Sequence, residues 1–178
     1  TLARWAAETT FEDIPDDVVE LMKTLVFVIG GCIVAGGTAD GCEEALDLVE
    51  GWGGKEEASV LVHGGRYPAQ HAVLVNSMMA RAYDICDFLV PGLHLGTSVV
   101  PVVLAVAEMV GGVSGRQLLT ALAVSCEVGA RLNRVGRLDG FDPSGVCGVL
   151  ASAVAAARLM GLDHGRMVEA MGLAFHRA

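Results

Sequence analysis

Residues 15–37 read PDDVVELMKTLVFVIGGCIVAGG, and the period of that stretch decides the fold class. Pro15 stands near the first helical position, where its missing N–H is no loss. Asp16 and Asp17 fill the first turn, where the helix dipole favours acids. Val18, Leu21, Met22, Leu25 and Val26 then recur with the 3.6-residue period of a helix that buries one face. Gly30, Gly31, Gly36 and Gly37 let a neighbour approach closely and then end the helix.

The same signals recur on both sides. Leu2 to Glu8 reads as a short amphipathic helix, and Cys42 to Trp52 as another, stopped by the glycine-rich Gly51 to Gly54. Ser59 to Val62 is the one short β-like run. A helix is expected from Pro68 to about Asp84, and another from Thr97 to Val110, with Pro101 tolerated in its first turn or at a kink. Ser114 is a plausible N-cap for Gly115 to Asn133. A polar turn, GRLDGFDPSG, covers residues 136–145; Ser144 is read as the cap of the next helix, Gly145 to Met160. Asp163 caps a last helix that runs on to Ala178. The expectation is an all-α fold of seven or eight helices in one domain spanning 1–178, with at most one short β segment.

Composition agrees. Of 178 residues, 53% are hydrophobic and only 5% aromatic, which suits closely packed helices better than a β-sandwich. The mean hydropathy of +0.53 invites a membrane reading. However, the longest apolar run, Leu25 to Gly37, is thirteen residues with four glycines, and a span needs about 20. Helices with wide apolar faces, buried against each other and against another subunit or domain, are expected instead. A net charge of −9 without any basic stripe argues against nucleic acid. Five cysteines without a CxxC pair fit reduced thiols in a cytoplasm. No secretory signal pattern is visible. The chain begins without an initiator Met and ends in a helical pattern, so a fragment, a processed chain or one part of a split protein is expected.

Three places carry polar groups that helical packing does not require. The first is YDICDFLVPGLHLGTSVVP, residues 83–101, where Asp84 and Asp87 precede His94 across a Pro-Gly turn. A carboxylate beside an imidazole can act as a proton-transfer pair; equally, Asp87 can cap the next helix and His94 can be a loop histidine. The second is GFDPSG, residues 140–145, a helix start suited to holding an anion or an ordinary Asx-Pro turn. The third, Val62 to Gly65, reads as a strand end and turn. No GxGxxG, GxxxxGK[ST], GxSxG or HExxH pattern is present, so dinucleotide, P-loop and hydrolase readings fail and a metal site is unsupported.

In order along the chain, LxxxxVFVIGGCIVAGG, a VHG turn, HAVLVNSMMARAYDICD, GLHLGTSVVPVVLAVAE, SGRQLLTALAVSCEVGARL and GFDPSGVCGVLASAVAAARLMGLD resemble the MmgE/PrpD family. The resemblance covers Leu2 to Ala178. It implies a helical domain, a homodimer formed through helical faces, and acid/base chemistry on small carboxylates without a cofactor or metal, of the dehydratase, decarboxylase or epimerase type. It also implies an active site shared with a separate lid domain. The family motif N-x-t-x-a-H-x-l-D-f-D-D and the histidine after it place Asp84 and His94 as the catalytic pair, with Asp84 orienting and charge-balancing His94 and His94 moving the proton. Asn76, Asp87, Arg81, Asp142 and Ser144 fall at substrate-binding positions. The chain departs from the pattern at Cys86 for an acid, Arg81 for a histidine, Phe88 for a small polar residue, Asp142 for a histidine and Ser144 for a threonine. The family's lid domain and the lysine, tyrosine and histidine that follow the helical segment are absent from this chain. A changed substrate in a specialised biosynthetic pathway is therefore expected. The alternative is a non-catalytic or partner-dependent helical scaffold, which dimerises or completes a split site with a second chain carrying the lid.

Overall fold

The computed structural model describes residues 1–136 and 140–178, so residues 137–139 of the expected polar turn lie outside the described residues. Among the described residues eight α-helices follow one another: α1 Leu2–Glu8, α2 Asp16–Gly36, α3 Cys42–Trp52, α4 Ala69–Arg81, α5 Gly96–Met109, α6 Gly115–Val135, α7 Pro143–Leu159 and α8 His164–Phe175. The all-α expectation holds, and α1, α3 and the Asp163 cap of α8 fall where the sequence puts them. Of the expected β-like run, Ser59 to Val62, only Ser59 lies in a strand, and that strand is half of a hairpin. Ala58–Ser59 (β1) pairs antiparallel with Arg66–Tyr67 (β2), which the apolar pattern is too short to signal.

α5 forms the centre. Val99, Val100, Pro101, Val102, Val103, Ala105 and Val106 are all buried, and the helix packs on α2, α4, α6 and α7. Pro101 is its sixth residue, inside the helix and not in the first turn; it deprives the Thr97 carbonyl of its usual donor. A smaller apolar cluster joins Ala3 and Ala6 of α1 to Val124 and Val128 of α6, Val154 and Ala157 of α7 and Met167 of α8. Arg158 ties α1 to α7 by donating to the carbonyls of Ala7 and Thr9.

α2 runs unbroken through Gly30 and Gly31, 21 residues in all, which corrects the expectation that no stretch is long enough to cross a membrane. By length and composition α2 qualifies, yet a third of that apolar window is buried, where Met22, Ile29 and Ile33 join the core. Gly36, not the Gly30-Gly31 pair, is where a neighbour comes close. A Cβ on Gly36 would run into the Met79 carbonyl of α4, whereas nothing lies within 4 Å of one on Gly30 or Gly31.

Other corrections have local causes. α4 ends at Arg81 instead of Asp84, and Asp84 adopts φ 54, a left-handed conformation that Asp tolerates better than most residues. α8 closes at Phe175 and does not run on to Ala178. Ser114 caps α6 as expected, in a reciprocal box with Gln117. Asp142, not Ser144, caps α7: its carboxylate accepts from the Ser144 N–H at 2.9 Å.

Asn76, expected at substrate, serves the hairpin instead. Its buried side chain accepts from the Leu61 N–H at 2.9 Å and donates to the Ser59 carbonyl at 3.0 Å. Replacing it with leucine leaves both backbone groups unpaired, and unpaired polar groups cost about 1–3 kcal/mol each. Asn76→Leu should therefore lower unfolding free energy by about 2 kcal/mol in urea titration, far more than a surface substitution. Unchanged stability would return Asn76 to the list of candidate binding residues.

Candidate active site

The site is built where the C-terminus of α4, the N-terminus of α5 and the N-terminus of α7 meet, and loop 82–95 forms its floor. The left-handed turn at Asp84 reverses the chain out of α4, its N–H bonding to the Arg81 carbonyl at 3.1 Å. This turn brings the Asp84 carboxylate onto the Arg81 guanidinium, in an ion pair between half-exposed groups. Farther along, Leu89 and Leu93 exchange backbone hydrogen bonds at 2.8 and 2.9 Å and so close the loop. The Asp87 carboxylate then accepts from the Gly96 N–H at 3.0 and 3.1 Å. Asp87 thus occupies the positive end of α5, the capping role weighed against substrate binding in the sequence.

His94 is seated from three sides. Its backbone N–H donates to Ser144 Oγ at 3.1 Å, fastening it to the start of α7. Phe88 meets the ring edge-on at 5.2 Å. Its Nδ1 lies 2.7 Å from the Asp87 carbonyl oxygen, which can only accept, so Nδ1 carries the hydrogen in the neutral ring and Nε2 carries the lone pair. Only 12% of the side chain is exposed. Asp84 Oδ1 lies 3.8 Å from Nε2, beyond hydrogen-bond length, and 65% of its side chain is exposed. Of the two roles expected of Asp84, orienting and charge-balancing His94, the ring hydrogen bond belongs to the Asp87 backbone carbonyl, and Asp84 lies on the Nε2 side of the ring. No sequence signal announces a backbone carbonyl in that role.

Arg81 ties the cluster together. Burial disfavours its charge, but Asp84, Cys86 and Asp142 more than offset this and hold its pKa above the ordinary value. The Asp142 carboxylate occupies the start of α7 that the sequence offered to a substrate anion. Thus Arg81, Asp84, Asp87, His94, Asp142 and Ser144 converge on one region, and Asn76 stands apart at the hairpin. Cys86, noted in the sequence only as a departure, has its sulfur 3.3 Å from His94 Nδ1 and 3.9 Å from Arg81.

Burial raises the Cys86 thiol above its ordinary value of 9.0, as it does for Cys32, Cys42 and Cys147, and pushes Cys126 up to about 12. All five are free. A raised folded-state pKa gives stability that is complete below the unfolded value and lost as pH rises through the folded one. The urea midpoint should therefore hold steady to about pH 9 and fall beyond it, with Cys126→Ala reducing the fall. A fall equally steep in that variant would remove Cys126 from the account.

Residues 1–178 match the MmgE/PrpD N-terminal domain. Among curated proteins the chain is 28% identical to a cis-aconitate decarboxylase-like protein of Aspergillus oryzae, over 99% of this chain and 39% of that one. It is 26% identical to the cis-aconitate decarboxylase of Aspergillus terreus, over 99% and 38%. The human cis-aconitate decarboxylase shares 33% identity over 64% of this chain and 25% of its own. The chain thus spans 39% or less of the length of these relatives.

Proposed function

This chain belongs to the MmgE/PrpD family, and on that premise we propose that it is the helical part of a lyase or isomerase that moves a proton at a carbon beside a carboxylate. The observation that carries the reading is the His94 ring, locked by the Asp87 carbonyl so that its Nε2 lone pair faces Asp84. In the proposed step Nε2 takes the carbon-bound proton, and the imidazolium so formed lies 3.8 Å from the Asp84 carboxylate, which stabilises it. The Arg81 guanidinium, with N–H groups beyond those given to Asp84, takes the substrate carboxylate. Elimination and epimerisation begin with this transfer, whereas decarboxylation would use it in reverse, the imidazolium returning a proton to the carbon that has lost CO2; the lyase relatives support that class.

Asp142 sets the specificity in this reading. A carboxylate at the start of α7, close enough to Arg81 to favour its charge, repels a second anionic arm of a substrate. The reading therefore favours substrates with fewer carboxylates than a tricarboxylate. It needs no cofactor, and we place the protein in a cytoplasm on the strength of its free thiols. Around the loop, Ile85, Phe88, Val90 and Phe141 are exposed; a lid, carried by a second chain or by more of the same one, is proposed to cover them. The test is exchange of the carbon-bound proton in D2O, followed by NMR over a panel of mono- and dicarboxylates, using the complete assembly. Exchange that survives loss of His94 would sink the proposal.

A homodimer is proposed through α2. Phe27 is 83% exposed, and Leu21, Val28 and Val34 on the same helix are exposed with it. Phe27, Gly30, Gly31 and Val34 line an apolar groove closed by Leu61 and Val62. Phe27→Asp should shift the protein to monomer in sedimentation velocity; a persistent dimer would move the interface elsewhere.

A further inference from the structure

The hydrogen on His94 Nδ1 has two acceptors. The Asp87 carbonyl oxygen lies 2.7 Å away, and the sulfur of half-buried Cys86 lies 3.3 Å from the same nitrogen. A thiol sulfur is a weak acceptor and carries no charge while it holds its proton. Burial raises the Cys86 thiol above its ordinary 9.0, Asp87 and Asp84 add to this, and Arg81, 3.9 Å from the sulfur, opposes it. Both partners of Nδ1 are therefore neutral at pH 7. The carboxylates nearby are engaged elsewhere. Asp87 accepts from the Gly96 N–H of α5, Asp84 pairs with Arg81 of α4, and Asp142 caps α7. Among the described residues these are the charged groups gathered about the ring, and no carboxylate hydrogen-bonds Nδ1; α5 adds only the Thr97 hydroxyl, which donates to the His94 carbonyl.

A carboxylate in contact with Nδ1 would hold the ring as imidazolium, because an opposite charge within about 4–6 Å favours the charged form by about 1–3 pH units. Such a ring stores a proton and has no lone pair to offer. We propose that Cys86 is a positioning residue that keeps His94 available as a base: it fills the place beside Nδ1 with an uncharged acceptor, steadies the tautomer whose lone pair lies on Nε2, and denies that place to a charge. Cys86 acts through His94 and touches no substrate. Its consequence for catalysis rests on the proton-transfer reading above. Its effect on the ring does not, so the two can fail separately.

The experiment follows the histidine rings of the complete chain, labelled with 13C and 15N, by NMR through a pH titration, the His94 signals being those missing from His94→Gln. The expected wild-type result is a neutral ring that carries its hydrogen on Nδ1, read from the 15N shifts. Cys86→Asp should move the His94 midpoint up by about one pH unit or more, about tenfold in proton affinity, while His63, His71, His164 and His176 titrate as before. Cys86→Ala, which brings no charge, should leave the midpoint in place. In the complete assembly the acid limb of kcat/KM should move up with the midpoint in Cys86→Asp, since the base works only unprotonated. A wild-type ring with its hydrogen on Nε2, a Cys86→Asp midpoint equal to wild type, or a Cys86→Ala midpoint raised as far as that of Cys86→Asp would overturn the role. The tautomer is read in the wild-type chain, so the test decides even if Cys86→Asp does not fold.

Discussion

His94→Gln should reduce turnover of a carboxylate substrate by about 10²- to 10⁴-fold, the usual contribution of a positioned proton-transfer group. Glutamine keeps a similar reach and a side-chain donor for the Asp87 carbonyl, so the loop should keep its shape. What it lacks is a basic lone pair at the position of Nε2. The signature is loss of kcat with KM little changed, because Arg81 and not His94 is the proposed carboxylate holder. Asp84→Asn should produce a smaller loss, since Asp84 lies 3.8 Å from Nε2 and acts on the charged ring alone. Asparagine tolerates the left-handed backbone at residue 84, so that comparison reports on charge and not on folding. Equal activity of wild type and His94→Gln in the complete assembly would remove the histidine from the mechanism.

Gly36→Val should destabilise the domain by about 3 kcal/mol or more, near the upper range for overpacking. Any Cβ at residue 36 meets backbone, the Met79 carbonyl of α4, and a main-chain atom cannot swing aside as a side chain can. α2 must then separate from α4, opening the core around Ile33, Val75 and Met79. Gly30→Val, by contrast, meets nothing within 4 Å inside the chain, so in a Phe27→Asp background that removes the proposed dimer contact it should change stability by well under 1 kcal/mol through packing. Thermal unfolding of the two variants side by side checks this. Similar melting temperatures would mean that α2 and α4 can slide past each other without loss.

The two variants mark the division between what was legible in the sequence and what was not. The glycines were visible, as was the chance of a close helix approach. Which of the four meets the backbone of α4 depends on the rotation of α2 about its own axis. That rotation is set by Ile29, Ile33 and Met22 seeking the core together. At the candidate site, the nearness of Asp84 and His94 was legible because their types and order carry a motif. Asp87 was ambiguous, since a carboxylate ahead of a helix reads equally as cap or ligand; its carboxylate accepts from the Gly96 N–H at 3.0 Å, the cap contact. Asn76 shares the motif, yet it faces the hairpin and not the loop.

By itself, the sequence determined the helical class, most helix boundaries within a few residues, and the family. These rest on local period, caps and residue order, which a linear chain displays in full. Only the tertiary structure decided that the Asp87 carbonyl orients His94, that Asp142 fills the anion position at the start of α7, and that Cys86 joins Asp84 and His94. Each of these depends on how three helix ends converge, and the first rests on a backbone carbonyl, a group that every residue possesses and that no pattern of side chains can single out.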